Sequence, residues 1–138
     1  LGSIIIAMGF SLTCHAEGLT ILQKDRNATM KILARSMGQL KNASDVADMK
    51  GPAIAILTAT KKLFNMWPEG SGGGLTRAKE EIWSNMLDFR GKLTDLKNAA
   101  DKLISTADVT DIGTAKSAFI GVGRTCGACH KIYRGPKL

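Results

Sequence analysis

The sequence predicts an all-α protein, an antiparallel four-helix bundle. In four separate stretches, apolar side chains recur at alternating steps of three and four residues, the spacing of a helix with one buried face. A glycine-rich segment at residues 67–76 separates the second stretch from the third. A repeat near 3.5 residues favours helices that pack at shallow angles, as they do in an antiparallel bundle.

Residues 1–16 carry no Lys, Arg, Asp or Glu, and their apolar run is shorter than the roughly 20 residues that span a bilayer. The run ends in small and polar residues before a charged, helical region, as a secretory signal peptide does. We expect a signal peptide at 1–16, truncated at its start and cleaved after Ala16, followed by one domain at 17–138. A membrane anchor and a lipid-modified Cys14 are the alternatives.

The first two predicted helices run from about Leu19 to Leu40 and from about Asp45 to Asn65. Pro52 interrupts the second, which predicts either a helix start there or, as we favour, a separate short turn or a kink. The inner face of the first helix is formed by Leu22, Arg26, Met30, Leu33, Met37 and Leu40, and that of the second by Ala53, Ile56, Leu57, Thr60, Leu63 and Phe64.

The glycine-rich segment is interpreted as a connector, since it has neither the preceding strand nor the Gly-Lys-Ser/Thr ending of a phosphate-binding loop. A third helix is expected directly after Thr76, whose side chain would cap it. A fourth is expected from about Val109 to Tyr133 and ends before Gly135-Pro136. Their inner faces are Ile82, Met86, Phe89, Leu93, Leu96, Ala100 and Leu103, and Ile112, Ala115, Phe119, Val122, Cys126, Cys129 and Tyr133.

The fourth helix contains Cys126-Gly-Ala-Cys129-His130, the attachment pattern of c-type haem. Two thiols bind the vinyl groups, the imidazole binds the iron, and one helical turn places all three groups on one side. A thioredoxin-type pair would need a neighbouring βαβ unit. A zinc site needs four ligands, and the other candidates, Cys14 and His15, lie in the expected signal peptide. A disulfide leaves His130 unexplained. We therefore predict one covalent haem c per chain, and export to the periplasm, where bacteria attach it.

A bundle of this size with the motif at its C-terminal end resembles the class II c-type cytochromes, the cytochrome c-prime (c′) family. The resemblance covers the chain from about residue 22 onward. It is carried by Cys126, Cys129 and His130 with Tyr133 and Arg134 after them, by Ile82-Trp83-Ser84, by the Trp67-Pro68 connector, and by Arg26 followed four residues later by Met30.

The resemblance implies a role for residue 30. In the high-spin branch of the family the distal residue is apolar and does not bind the iron, whereas in the low-spin branch it is a methionine ligand. Met30 therefore indicates the low-spin branch, with His130 as proximal and Met30 as distal axial ligand; the alternative is a core methionine. Arg26 would pair with a haem propionate and Trp67 would pack near the haem edge. A solvated charge and an ordinary core anchor are the alternatives for these two.

Two axial protein ligands predict a periplasmic one-electron carrier and not an enzyme, since no nucleophile–base pair is visible. The alternative function is a five-coordinate c′-like protein that binds nitric oxide or carbon monoxide. The net charge of +7 suits an acidic redox partner. Nucleic-acid binding is disfavoured because the lysines are scattered and no aromatic platform accompanies them. No membrane contact is expected of the mature form, and the resemblance implies a homodimer through helices one and two.

Overall fold

The structure, a computed structural model, describes residues 19–109 and 111–137, so the expected signal peptide at 1–16 lies outside the described residues. The four long helices are α1 (Ile21–Asn42), α2 (Ala47–Leu63), α4 (Met86–Val109) and α5 (Ile112–Tyr133), and α3 (Glu81–Ser84) is a single turn. The predicted all-α four-helix architecture is confirmed. Helix α1 packs on α2, α2 on α4 and α4 on α5, whereas α1 and α5 pack much less closely, which leaves one side of the bundle open.

Helix α1 begins with a capping box. The Thr20 hydroxyl accepts a hydrogen bond from Gln23 N at 3.2 Å, and the side-chain oxygen Oε1 of Gln23 accepts one from Thr20 N at 3.0 Å. The inner face of α1 is more polar than predicted. Gln23 and Thr29 are buried, whereas Leu22 and Met30 are half-buried. Thr29 is satisfied across the bundle because its hydroxyl donates to the Met66 sulfur at 3.8 Å.

Helix α2 continues through Pro52, so a helix start at that residue and a separate short turn before it are both wrong, whereas a kink at Pro52 stays a prediction. The proline lies in the second turn, where its missing N–H removes the bond to the carbonyl of Asp48. The lost bond is tolerated because α2 packs against both α1 and α4. Ala53, Ile56 and Leu63 are each at most 1% exposed, and their burial stabilises the helix.

The third helix starts later than predicted. Thr76 does not cap it; its hydroxyl accepts from Ala78 N at 3.2 Å and closes a short turn instead. Residues 77–79 run antiparallel to 133–135, with hydrogen bonds from Lys79 N to Tyr133 O at 3.1 Å and from Gly135 N to Arg77 O at 2.7 Å. This pairing holds the chain extended until α3.

The predicted third helix is also divided in two. Asn85, with φ −132° and ψ 48°, ends α3 before α4 begins at Met86. The inner face nevertheless continues across the break, since Ile82 and Phe89 are both 2% exposed.

Helix α5 is capped by Asp111, whose carboxylate accepts from the N–H groups of Gly113 and Thr114. Near its start, Lys116 Nζ donates to the carbonyls of Leu40 and Lys41 at 2.9 and 2.8 Å. This contact joins α5 to the C-terminal end of α1, so the two helices are tied at the end of the bundle away from the cysteine motif. None of the helices within 19–109 and 111–137 has the length and apolar character needed to cross a membrane.

Candidate haem-binding site

A cleft of about 250 Å³ lies on the open side of the bundle, between α1 and the last turns of α5. It brings Met30 of α1 together with Cys129 and His130, which belong to the cysteine motif of α5. Cys126 lies one turn earlier on α5, half-buried against the core. The lining is completed by Arg26, Asn27, Leu33, Ala34, Trp67, Thr76, Arg77, Ala78, Ile82, Phe89, Tyr133 and Arg134.

The two thiols lie in an apolar environment. Burial raises the pKa of the Cys126 thiol. Burial also raises the pKa of Cys129, to about 11; Cys126 and Asp88 raise it further, and the positive charge of Lys92 opposes them. Reactive Cys-x-x-Cys pairs instead have lowered thiol pKa values, so this environment disfavours a thioredoxin-type pair and suits a neutral thioether. Within 19–109 and 111–137, no group of three or more His, Cys, Asp or Glu side chains is placed to hold a metal ion.

His130 lies at the rim of the cleft with its side chain exposed. Partial burial lowers the pKa of its imidazole, and the positive charges of Arg134 and Arg77 lower it further. All three influences favour the neutral ring. A neutral imidazole is the form that can bind a metal ion.

Arg26 is only 3% exposed, so the alternative of a solvated charge on the helix flank is wrong. Its guanidinium carbon lies 4.6 Å from the centroid of the Trp67 ring and 5.7 Å from that of Trp83. The guanidinium donates to the carbonyl and, at 3.5 Å, to the hydroxyl of Ser71. The ion pairs of the described residues do not include Arg26. Burial lowers the pKa of Arg26, but an arginine stays charged at neutral pH.

Trp67 also lines the cleft, and its indole N–H has no hydrogen-bond partner among the described residues. This donor is buried. The ring centroids of Trp67 and Phe89 lie 4.8 Å apart, and those of Phe89 and Tyr133 lie 5.1 Å apart, both pairs in edge-to-face geometry. The three rings form an aromatic wall. A haem matches this surface, since its flat apolar ring would cover the wall and its two carboxylates would accept from Arg26 and Trp67.

Sequence reasoning missed Gln23, which anchors the glycine-rich connector beside the cleft. Its Nε2 lies 3.3 Å from the carbonyl oxygens of Ser71, Gly72 and Gly73. The pattern Thr20-x-x-Gln23 is a capping-box signature and could have identified the residue. Arg77 had no such local signal, because its partners are the carbonyls of Gly135 and Pro136, almost 60 residues away.

Comparison with known proteins identifies the same architecture. Residues 22–134 match the family model described as Cytochrome C′. The chain is 32% identical over 144 residues to cytochrome c-556 of Agrobacterium fabrum, an alignment that covers 97% of this chain and 95% of the relative.

Two solved structures extend the comparison. The nitric oxide complex of a mutant cytochrome c′ from Alcaligenes xylosoxidans is 28% identical, with a TM-score of 0.76 over 84% of this chain and 94% of the other. A cytochrome c′ with ligand-controlled dimer dissociation is 25% identical, with a TM-score of 0.75 over 87% of this chain and 100% of the other.

Proposed function

Since the chain belongs to the cytochrome c′ family and is accordingly a haem c protein, we propose that it is a one-electron carrier whose iron is bound by His130 and Met30. Cys126 and Cys129 form the thioether bonds. The observation that carries this proposal is the position of Met30, which lines the same cleft as Cys129 and His130 although 100 residues separate the two segments.

Bound haem supplies an iron that changes its charge by one electron, and a methionine ligand raises its reduction potential. Met30 offers a thioether, which has no proton to lose and is half-buried beside Leu33. His130 offers a neutral imidazole. Arg26 and Trp67 provide a buried positive charge and an unpaired N–H for the haem carboxylates. With both axial ligands provided by the chain, the site is suited to pass electrons and not to turn over a substrate.

The proposal includes export to the periplasm. Residues 1–16 direct it and are removed after Ala16. Intact mass spectrometry of the protein isolated from the periplasm checks this assignment, and a mass that still includes residues 1–16 would favour a membrane anchor.

The proposal also includes a homodimer formed through α1 and α2. Ile21 and Ile32 on α1 are 80% and 40% exposed, and Ile54 on α2 is 45% exposed. Apolar side chains exposed on two neighbouring helices are suited to pack against a second copy.

Nitric oxide or carbon monoxide binding is the second candidate function, favoured by the similarity to a nitric oxide complex. The two functions differ at Met30: an iron ligand there makes the ferrous protein low-spin, whereas a packing residue leaves it high-spin and open to gas.

The deciding experiment compares Met30→Leu with Met37→Leu. Met37 lies two turns further along α1 and is half-buried, and its methyl group lies 3.6 Å from where a Cβ at position 123 of α5 would be. Each swap normally costs less than ~1.5 kcal/mol of folding free energy. We expect wild type and Met37→Leu to be low-spin in the visible spectrum. Met30→Leu should be high-spin, bind carbon monoxide faster and have a lower reduction potential. If wild type is already high-spin and Met30→Leu binds the gas at the same rate, the gas-binding function replaces electron transfer.

A further inference from the structure

Basic side chains gather around the last turn of α5. The antiparallel pairing of residues 77–79 with 133–135 places Arg77 and Lys79 beside the C-terminal segment. Arg134 and Lys137 lie within that segment, and Lys131 lies in the last turn of α5. We call this set the basic face; its members are Arg77, Lys79, Lys131, Arg134 and Lys137.

Most of the charge of the basic face is not neutralised by carboxylates. Lys79 pairs with Glu81 at 2.7 Å, the single ion pair that the described residues form on this face. Arg77 Nε donates to the carbonyl oxygens of Gly135 and Pro136 at 2.9 Å each, which are uncharged partners. The other three members are exposed. The face is therefore strongly positive where it meets solvent.

The basic face also contains exposed apolar area beside the cleft. Leu75, two residues before Arg77, is 61% exposed, and Ile132 in the last turn of α5 is 39% exposed. His130 is exposed in the same turn and lines the rim of the cleft. Apolar contacts within a charged rim are typical of protein interfaces, in which charge sets the rate of encounter. A partner bound here would lie next to the proximal side of the site.

We propose that the basic face is the docking site for a redox partner with a carboxylate-rich surface. The proposal rests on the electron-transfer function above and adds where the partner binds. One electron passes between the haem and the redox centre of the partner, and no atoms are exchanged. A second copy of the chain fits poorly at this face because its own basic face would repel it. A nucleic acid is disfavoured because Tyr133, the aromatic residue of this segment, is buried.

The test compares two charge reversals of equal size in the haem-loaded protein. Lys131→Glu/Lys137→Glu alters the basic face, and Lys41→Glu/Lys102→Glu alters exposed lysines near the far end of the bundle. The probes are hexacyanoferrate(III), hexaammineruthenium(II) and an acidic plant-type ferredoxin, each followed at low and high ionic strength. At low salt, the face variant should react with hexacyanoferrate and ferredoxin about tenfold more slowly than wild type, since steering by local charge changes association rates by 10- to 1,000-fold. It should react faster with the ruthenium cation, and high salt should remove the differences.

Equal effects of the two double variants on the anionic probes would overturn the proposal, because the net charge alone would then explain them. Tighter binding of the basic face to a short DNA duplex than to ferredoxin would assign the face to nucleic acid instead. Axial ligation is read separately from the visible spectrum. A high-spin spectrum with rates that still depend on the basic face would therefore contradict the role of Met30 and leave the docking site intact.

Discussion

Arg26 is unusual because its charged side chain is buried, with 3% of the residue exposed. A buried arginine loses its hydration, and the described residues compensate it with two tryptophan rings and the oxygens of Ser71. A cation over an aromatic ring contributes about 0.5–2 kcal/mol, and a hydrogen bond from a charged donor about 1.5–3 kcal/mol. A haem carboxylate would supply the missing negative charge.

Arg26→Gln should therefore lower the free energy of unfolding by about 1–3 kcal/mol. It should also lower the reduction potential, because a positive charge near the iron favours the ferrous state. Arg35→Gln, an exposed position on the same helix, is the matched control and should change neither quantity measurably. Denaturant titration and potentiometry check the prediction. An unchanged potential in Arg26→Gln would show that the guanidinium only supports the connector.

Tyr133 is the single tyrosine of the sequence, so the titration of its hydroxyl can be followed without a signal from another tyrosine. Burial and the hydrogen bond from its hydroxyl to Asp88, at 2.5 Å, raise its pKa to about 12. The folded state thus holds the proton more tightly than the unfolded chain, whose tyrosine titrates near pH 10. The contribution to stability is complete below about pH 10 and is lost as the pH rises towards 12.

The ¹³Cζ chemical shift of labelled Tyr133 measures this titration directly. We expect a midpoint clearly above 10 in wild type and a lower one in Asp88→Asn, which removes the negative charge but leaves an acceptor. A wild-type midpoint near 10 would mean that the hydroxyl contacts water and not Asp88.

At the scale of elements, the N-terminus of α1 and the glycine-rich connector are held by one side chain. Gln23 closes the capping box and donates towards the carbonyl oxygens of three consecutive connector residues. Gly73, the last of these three residues, and Gly74 have φ of +74° and +64°, a conformation that residues other than glycine rarely adopt. The conformation of the connector therefore depends on its glycines, and the hydrogen bonds from Gln23 hold it against α1.

Gln23→Ala should lower the free energy of unfolding by about 1–2 kcal/mol, since it removes both the cap and the anchor. Amide hydrogen exchange should rise in residues 70–74 and in the first turn of α1. Gln39→Ala, exposed on the same helix, should leave both unchanged. Faster exchange in α1 alone would show that the connector keeps its shape without Gln23.

The elements also show what the sequence could predict. The four long helices follow from apolar periodicity, and the motif on α5 follows from Cys126, Cys129 and His130, because both signals are local. The late start of α3 does not, since residues 77–79 are extended by partners at 133–135. The polar face of α1 was missed for the same reason. Gln23 and Thr29 are buried because their partners lie in the connector and at Met66, distant in sequence.

At the scale of the whole molecule, the exposed isoleucines of α1 and α2 predict a self-association surface. The variant Ile32→Glu/Ile54→Glu should be monomeric at concentrations at which wild type is dimeric, because each glutamate would have to be buried without a partner. Ile120→Glu on α5, at a position 52% exposed, is the control and should remain dimeric. Sedimentation velocity measures the outcome. A wild-type protein that is monomeric at every concentration would contradict the proposed dimer.

The sparse packing between α1 and α5 has a consequence for the life of the chain in the cell. Met30, Ala78 and Cys129 line the cleft and are only half-buried, and a bound haem would cover them. A chain that has not yet bound haem is therefore expected to be more open to proteases on this side of the bundle. The supply of haem would then limit the amount of this protein in the cell, because proteases would remove the chains that have not yet bound haem. A pulse-chase measurement during haem starvation should show a shortened half-life, and an unchanged half-life would mean that the unligated chain already protects this side of the bundle.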